Sequence, residues 1–230
     1  MDTLSLSIIA HIHTPFAEKF GVPRQSGLAP TAGRIVFAPE YRNPDALRGL
    51  EGFSHLWLVW VFDQAIRKDW SPTVRPPRLG GNQRMGVFAT RSPFRPNPIG
   101  LSCVELSGVE RDTPDGPVIH VRGADLVDGT PILDIKPYLP YADCKPEAVG
   151  GFAASGEGRL LTVRADETLL AGLSARTREA LLGVLAHDPR PSYQNDPDRV
   201  YGMAFGGCEV RFCVDGETLT VRSVTRSAPA

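Results

Sequence analysis

The residues best able to do chemistry in this 230-residue chain share one stiff loop, Arg91-Ser-Pro-Phe-Arg95-Pro-Asn97-Pro98. Pro93, Pro96 and Pro98 fix φ and remove backbone donors, so they restrict how Arg91, Arg95 and Asn97 are presented. Guanidinium groups offer planar forks of donors to carboxylates and phosphates, and an amide both donates and accepts. From Trp70 to Val104 the chain carries five arginines, Arg75, Arg78, Arg84, Arg91 and Arg95, and no Asp or Glu, although its formal net charge is only -1. The segment reads as an anion-facing surface whose rigidity suits recognition.

Further candidates lie outside that loop. Asp125-Leu126-Val127-Asp128 sets two carboxylates around an apolar pair, able to accept from ribose hydroxyls or an ammonium group, or to serve as Asx-turn residues. Asp134-Ile-Lys136-Pro-Tyr138 brings a buried-looking lysine between strands, as a salt-bridge partner or as part of a site. The loop Phe20-Gly-Val-Pro23-Arg24-Gln25-Ser-Gly27 adds a planar donor and an amide, and Asp188-Pro-Arg190-Pro-Ser-Tyr193 pairs an arginine with an aromatic, which suits a base or phosphate contact. His11 and His13 face one side of a strand without an evident third ligand, so they read as a polar edge pair and not as a metal site. His55, opening an apolar run, reads as a hydrogen-bonded core histidine. Dinucleotide, P-loop and nucleophile-elbow signatures are missing, so any nucleotide-like cofactor must sit on loops of another fold.

The elements that must position these groups are mainly β. Up to residue 150 the apolar residues come in short runs between Gly, Pro, Asn and Asp, and the candidate strands are 4–13, 33–37, 55–62, 85–89, 101–109 and 118–122. The run His55 to Phe62 is apolar almost throughout and reads as a central strand covered on both faces. A short helix is signalled at Asn43-Pro44-Asp45. So many short strands point to a barrel or sandwich. The small, flexible stretch from Gly150 to Gly158 divides residues 1–150 from a smaller α+β unit, 159–230. There Ser174 caps a helix that Asp188-Pro189 stops, and Asp215-Gly216 joins the two strands of a hairpin.

With 42% apolar and 22% charged residues the chain is an ordinary globular one, and its charge argues against a general nucleic-acid coat. Cysteines 103, 144, 208 and 213 form no C-x-x-C pair, which points to a reduced compartment, with Cys103 and Cys213 as buried thiols. No signal-peptide pattern and no run of ~18 apolar residues occurs, so the expected location is cytoplasmic, away from membranes.

Five segments together resemble one family, the TsaA/YaeB-like tRNA methyltransferases, also called TrmO. They are FGVPRQSG (20–27), GLEGFSHLW (49–57), PTVRPPRLGGNQRMGVFATRSPFRPNPIGL (72–101), DLVDGTPILDIKPYLP (125–140) and DPRPSY (188–193). The resemblance implies a β-barrel that binds S-adenosylmethionine outside the Rossmann classes, a small C-terminal domain, a homodimer, and methylation of N6-threonylcarbamoyladenosine beside the tRNA anticodon. It carries the cofactor pocket over to Pro23, Arg24, Gln25, Asp63, Gln64, Arg91, Leu101, Asp125, Leu126, Val127 and Asp128. Asp63 stands where relatives commonly have His. Arg95, Asn97, Asp128 and Lys136 are then expected to carry the chemistry, with Arg75, Arg78, Arg84, Arg190 and Tyr193 on tRNA. The rival reading is a non-catalytic β-barrel RNA-binding module that stacks bases on Trp57, Trp60 or Trp70.

Overall fold

The computed structural model describes residues 3–76, 79, 83–156, 160–191, 194 and 196–227. The strands of the first part are β1 (Ala10–His13), β2 (Ala32–Phe37), β3 (His55–Val61), β4 (Thr73–Val74), β5 (Met85–Gly86), β6 (Ile99–Glu110), β7 (Val118–Arg122) and β8 (Thr130–Pro137). Six of them close an antiparallel barrel in the order β1-β2-β7-β6-β3-β8, while β4 and β5 form a separate small ribbon. Closure leaves β1, β2, β7, β6, β3 and β8 neighbours on both sides, which explains how short strands form a stable unit.

Strict alternation makes the barrel wall. Leu56, Leu58 and Trp60 of β3 are buried, while His55, Trp57, Val59 and Val61 face outward and keep partial exposure. The sequence expectation of a strand covered on both faces therefore fails: an apolar run here lines a barrel on one side only. Ile12, Ile35, Val104, Ile119, Val121, Leu126 and Ile132 complete the interior. Two glycines fit this packing. A Cβ on Gly33 would lie 2.8 Å from Val121, and one on Gly100 would lie 2.2 Å from the Trp60 ring.

Several boundaries differ from the sequence reading. The first strand covers only Ala10–His13, because Leu4, Leu6 and Ile8 are exposed and have no interior to enter. The run at 85–89 is a two-residue strand followed by a 3-10 turn, Val87–Ala89, and Asn43 caps a 3-10 turn, Pro44–Leu47, by accepting from the Asp45 N–H at 3.0 Å. Strand β8 escaped sequence reading because Asp134, Lys136 and two prolines break its apolar pattern.

The remaining elements are α1 (Pro140–Asp143), β9 (Thr162–Arg164), α2 (Glu167–Leu170), α3 (Ala175–Ala186), β10 (Tyr201–Phe205), β11 (Cys208–Asp215) and β12 (Thr218–Arg226). Ser174 caps α3 through the Thr177 N–H, and the helix stops just before Asp188, which takes φ 49. Strands β10, β11, β12 and β9 form one sheet, with β11 and β12 joined through Gly216. Residues Leu181, Val184 and Leu185 of α3 pack on that sheet together with Phe16 and Ala29 from the first part of the chain. Phe16 meets Phe205 edge-on at 5.5 Å, and the Gly206 N–H donates to the Pro15 carbonyl at 2.8 Å.

Core truncation tests this packing. Leu58→Ala should lower unfolding free energy by about 2–5 kcal/mol in urea titration. Gly100→Ala should cost about 1–3 kcal/mol by overpacking and change the emission of Trp60, whereas unchanged stability would contradict the close approach.

Candidate functional site

The barrel is not hydrogen-bonded evenly around its circumference. Strand β7 pairs with β6 only from Glu105 onward, so β6 between Ile99 and Val104 has β3 on one side and an edge without a strand partner on the other. The Phe62 N–H donates to the Pro98 carbonyl at 2.8 Å, which sets the phase of the ladder. Gly100 and Ser102 therefore point their backbone groups at β3, and Leu101 and Cys103 point theirs at the open edge. The loop 20–27 lies along that edge: the Cys103 N–H donates to Ser26 Oγ at 3.1 Å, and the Gly27 N–H donates to the Gly123 carbonyl at 2.9 Å.

A half-buried, largely desolvated carboxylate stands behind the edge. Trp60 Nε1 donates to Ser102 Oγ at 3.0 Å, and Ser102 Oγ donates to Asp125 Oδ1 at 2.6 Å. Burial pushes the Asp125 carboxyl above its ordinary value, against the lowering effects of the Ser102 hydroxyl, its own and the Ser26 N–H groups, and the Arg91 charge. Arg91 Nη1 donates to Gln25 Oε1, and Gln25 Nε2 donates to the Arg24 carbonyl. Four residues singled out from sequence thus come together, Arg24, Gln25, Arg91 and Asp125, and a fifth, Leu101, precedes Ser102 on the open edge. Pro23 and Leu126 are buried in the loop walls. Asp63 and Gln64 form a 3-10 turn beyond β3, whose last residue, Val61, pairs with Ile99.

Asp128 turns elsewhere. Its carboxylate accepts the Thr14 N–H at 2.9 Å and lies 3.3 Å from His13 Nδ1, while its own N–H donates to the Phe16 carbonyl at 2.8 Å. Thr14 Oγ1 also donates to the Leu126 carbonyl at 2.8 Å, so β1 clamps the turn that carries Asp125. His13 serves this clamp, and among the described residues no group of three or more His, Cys, Asp or Glu could hold a metal ion.

Three expectations need correction. Lys136 is not buried: it stands on the outer wall, 65% exposed, 2.6 Å from Asp134, because the register of β8 on β3 shifts between Ile132 and Asp134 and turns the later even-numbered residues away from the side that buries Ile132. Arg95 donates to the Thr90 carbonyl at 3.1 Å, Asp128 lies beside His13 and Lys136 beside Asp134, so the hydrogen bonds and ion pairs of Arg95, Asp128 and Lys136 do not join them into one group. Arg190 does not offer its guanidinium to a ligand: it is 8% exposed, and Nε and Nη2 reach Asp188 at 2.8 and 2.9 Å. Its carbonyl instead accepts from Arg24 Nη2 at 3.4 Å, which ties the segment after α3 to the loop 20–27. Asn97 and Arg75 are exposed, and Arg84 is exposed while donating to Thr73 Oγ1 at 3.0 Å across β4 and β5. Arg78 and Tyr193 lie outside the described residues.

Sequence reasoning missed Ser26, Ser102 and the hydrogen-bonding role of Trp60. The available signal was a serine at an inward position of an apolar strand, where an unpaired hydroxyl would be costly. It also missed Cys103 as an edge residue. Cys103 is half-buried, and burial pushes its thiol up.

The geometry can be compared with known proteins. The profile of the tRNA-methyltransferase O N-terminal domain matches residues 11–144, and that of the TrmO C-terminal domain matches residues 161–227. An Escherichia coli tRNA (adenine(37)-N6)-methyltransferase is 48% identical over 223 residues, 93% of this chain and 94% of that one. A Pseudomonas aeruginosa relative whose name describes an S-adenosylmethionine-dependent methyltransferase is 41% identical over 218 residues, 91% of this chain and 92% of that one. A crystal structure of TrmO from Pseudomonas aeruginosa superposes with TM-score 0.78 at 36% identity, covering 97% of this chain and 100% of the other. A closed antiparallel barrel with an open β6 edge, followed by a small mixed sheet, is accordingly the structure of a chain that belongs to the TrmO family.

Proposed function

We propose that this chain transfers a methyl group from S-adenosylmethionine to N6 of adenosine 37 in tRNA, where that adenosine carries a threonylcarbamoyl group. The observation that carries the reading is the match of both family profiles, in order, over nearly the whole chain. The donor set fits the cofactor. Asp125 is a largely desolvated acceptor suited to a ribose hydroxyl or a cationic centre, Arg91 with Gln25 suits a carboxylate, and the N–H and carbonyl of Leu101 suit the edge of an adenine. Pro23, Arg24, Asp63, Gln64, Leu126 and Val127 complete the wall, and Asp128 acts by fixing the turn through Thr14. When bound, the cofactor supplies a methyl group on a positively charged sulfur.

The chain's own task is orientation. Methyl transfer is an in-line displacement, so it rewards fixed geometry more than strong acids or bases. The target nitrogen is conjugated to a carbonyl and is a weak nucleophile, which makes alignment the larger part of catalysis. Arg95 and Asn97, on the proline-stiffened loop, orient the modified base, and Lys136 from the outer wall answers the threonyl carboxylate. Arg75 and Arg84 hold tRNA phosphates. The unit 159–230 contacts the anticodon arm, with Arg190 serving as a brace for Arg24 and not as a phosphate ligand.

The active assembly is a homodimer. Strands β6, β3 and β8 turn Ile99, Leu101, Val59 and Trp57 outward, with Ile99 40% and Leu101 54% exposed, next to Lys136. A second subunit on this wall covers apolar surface and brings further groups to the open edge. No helix among the described residues is long and apolar enough to cross a membrane. A tRNA substrate puts the working location in the cytoplasm.

Mass spectrometry of nucleosides should show threonylcarbamoyladenosine gaining one methyl when such tRNA is incubated with the protein and S-adenosylmethionine. Unmethylated nucleoside after full incubation would refute the reading. Asp125→Asn separates the costs of burial from function. A carboxyl whose pKa is raised on folding contributes stability below its ordinary value of 3.8. That contribution is lost as pH rises through the raised value. The stability difference between the variant and wild type should therefore grow with pH above 3.8, while calorimetry shows weaker cofactor binding in the variant. A pH-independent difference would remove the burial argument.

A further inference from the structure

One cleft in the described structure does not contain Gln25, Arg91 or Asp125. It lies between the segment after Asp63–Ala65 and the loop 94–98, with a volume of about 400 Å³, in the size range of small-ligand sites. Its apolar walls come from Ile66, Trp70 and Phe94, and its charges are Arg67, Lys68 and Arg95 against the single acid Asp69.

The aromatic groups here are uncovered. Phe94 is 36% exposed, Trp70 52% and neighbouring Phe88 74%, and the Trp70 and Phe88 rings stand 6.2 Å apart at 35°. The guanidinium carbon of Arg67 sits 3.7 Å above the centre of the Phe94 ring. A cation stacked on a ring gives a flat, extended, positively charged platform. Folding alone does not explain it, since Trp70, Phe88 and Phe94 take no part in either buried core. Exposed apolar groups clustered in this way mark interaction sites.

We propose that this cleft receives unpaired nucleotides next to the target adenosine, stacking their bases on Phe94 and Trp70 while Arg67 and Lys68 meet the adjoining phosphates. The proposal rests on the tRNA reading above and adds the place where the loop RNA is gripped. Charge complementarity selects the occupant. Trp70, Phe94 and Arg95 of the lining belong to a stretch, Trp70 to Val104, whose sequence has five arginines and no acid, so a polyanion with flat apolar bases fits the cleft on both counts. The spatial logic is direct, because Arg95 lines the cleft and shares its loop with Arg91 of the cofactor site. A nucleotide held here flanks, and does not fill, the position of the reacting base.

Fluorescence anisotropy with a labelled anticodon stem-loop RNA tests the proposal, with calorimetry of S-adenosylmethionine as a control. Phe94→Ala and Trp70→Ala should each weaken RNA binding about tenfold, as the loss of one base stack does, and leave cofactor affinity unchanged. Phe94→Tyr, which keeps the ring, should restore binding. Lys68→Ala should lower the slope of log affinity against log salt by about 0.7. Wild-type RNA affinity in both alanine variants would overturn the proposal. So would dissociation of a dimer to monomer on sedimentation in those variants, which would make the patch a contact between copies of the chain. Absence of methylation by the wild-type protein would defeat the activity reading, while the anisotropy series would still decide the cleft.

Discussion

The burial of one carboxylate organises this protein. Asp125 sits where desolvation disfavours its charge, and charges in such places persist only when surrounding donors replace lost water. Ser102 supplies one donor, the Ser26 backbone another, and Arg91 the compensating charge. Each supplier comes from a different part of the chain: the β6 wall, the loop 20–27 and the proline-rich loop. A single energetic demand therefore pulls three segments to one place.

The barrel makes that arrangement possible by leaving part of one strand edge unpaired. Had β7 run alongside β6 from Ile99, the backbone groups of Leu101 and Cys103 would be spent in the ladder. Instead Cys103 binds Ser26, and Leu101 keeps its N–H and carbonyl turned to the opening. An unpaired edge is ordinarily an aggregation hazard, which the loop 20–27 limits by covering half of it. The second unit contributes from behind. Through Phe205 on Phe16, Gly206 on Pro15 and the Arg190 carbonyl on Arg24, it buttresses the loop and the exit of β1 that clamps Asp128. The smaller unit thus takes part in positioning the loop 20–27.

Much of this was legible in the residues themselves. The strand-rich first part, the cap at Ser174, the Asp215-Gly216 turn and the proline-rich arginine loop follow from local rules, and each has its counterpart in the structure. What local rules could not supply was direction. Arg190 and Lys136 looked alike as functional cations, yet one is folded onto Asp188 in the interior and the other stands on the outer wall beside Asp134. The difference arises from strand phase and from a positive φ at Asp188, both properties of the assembled fold. Ser102 was overlooked for the converse reason. Its meaning depends on Trp60 and Asp125, which are distant in sequence and adjacent only across the barrel interior.

The arginine-rich segment shows why charge counts mislead about specificity. Its cations do separate work. Arg91 joins Gln25 beside the desolvated carboxylate, Arg95 secures its own loop through the Thr90 carbonyl, and Arg84 bridges to Thr73. A guanidinium already engaged with a neutral acceptor keeps its charge and its free edges, so it can still attract an anion, but only from the direction its partner leaves open. The structure has converted a generic positive field into a few fixed approaches. For methyl transfer, in which the enzyme's contribution is alignment, that conversion matters more than the number of positive charges.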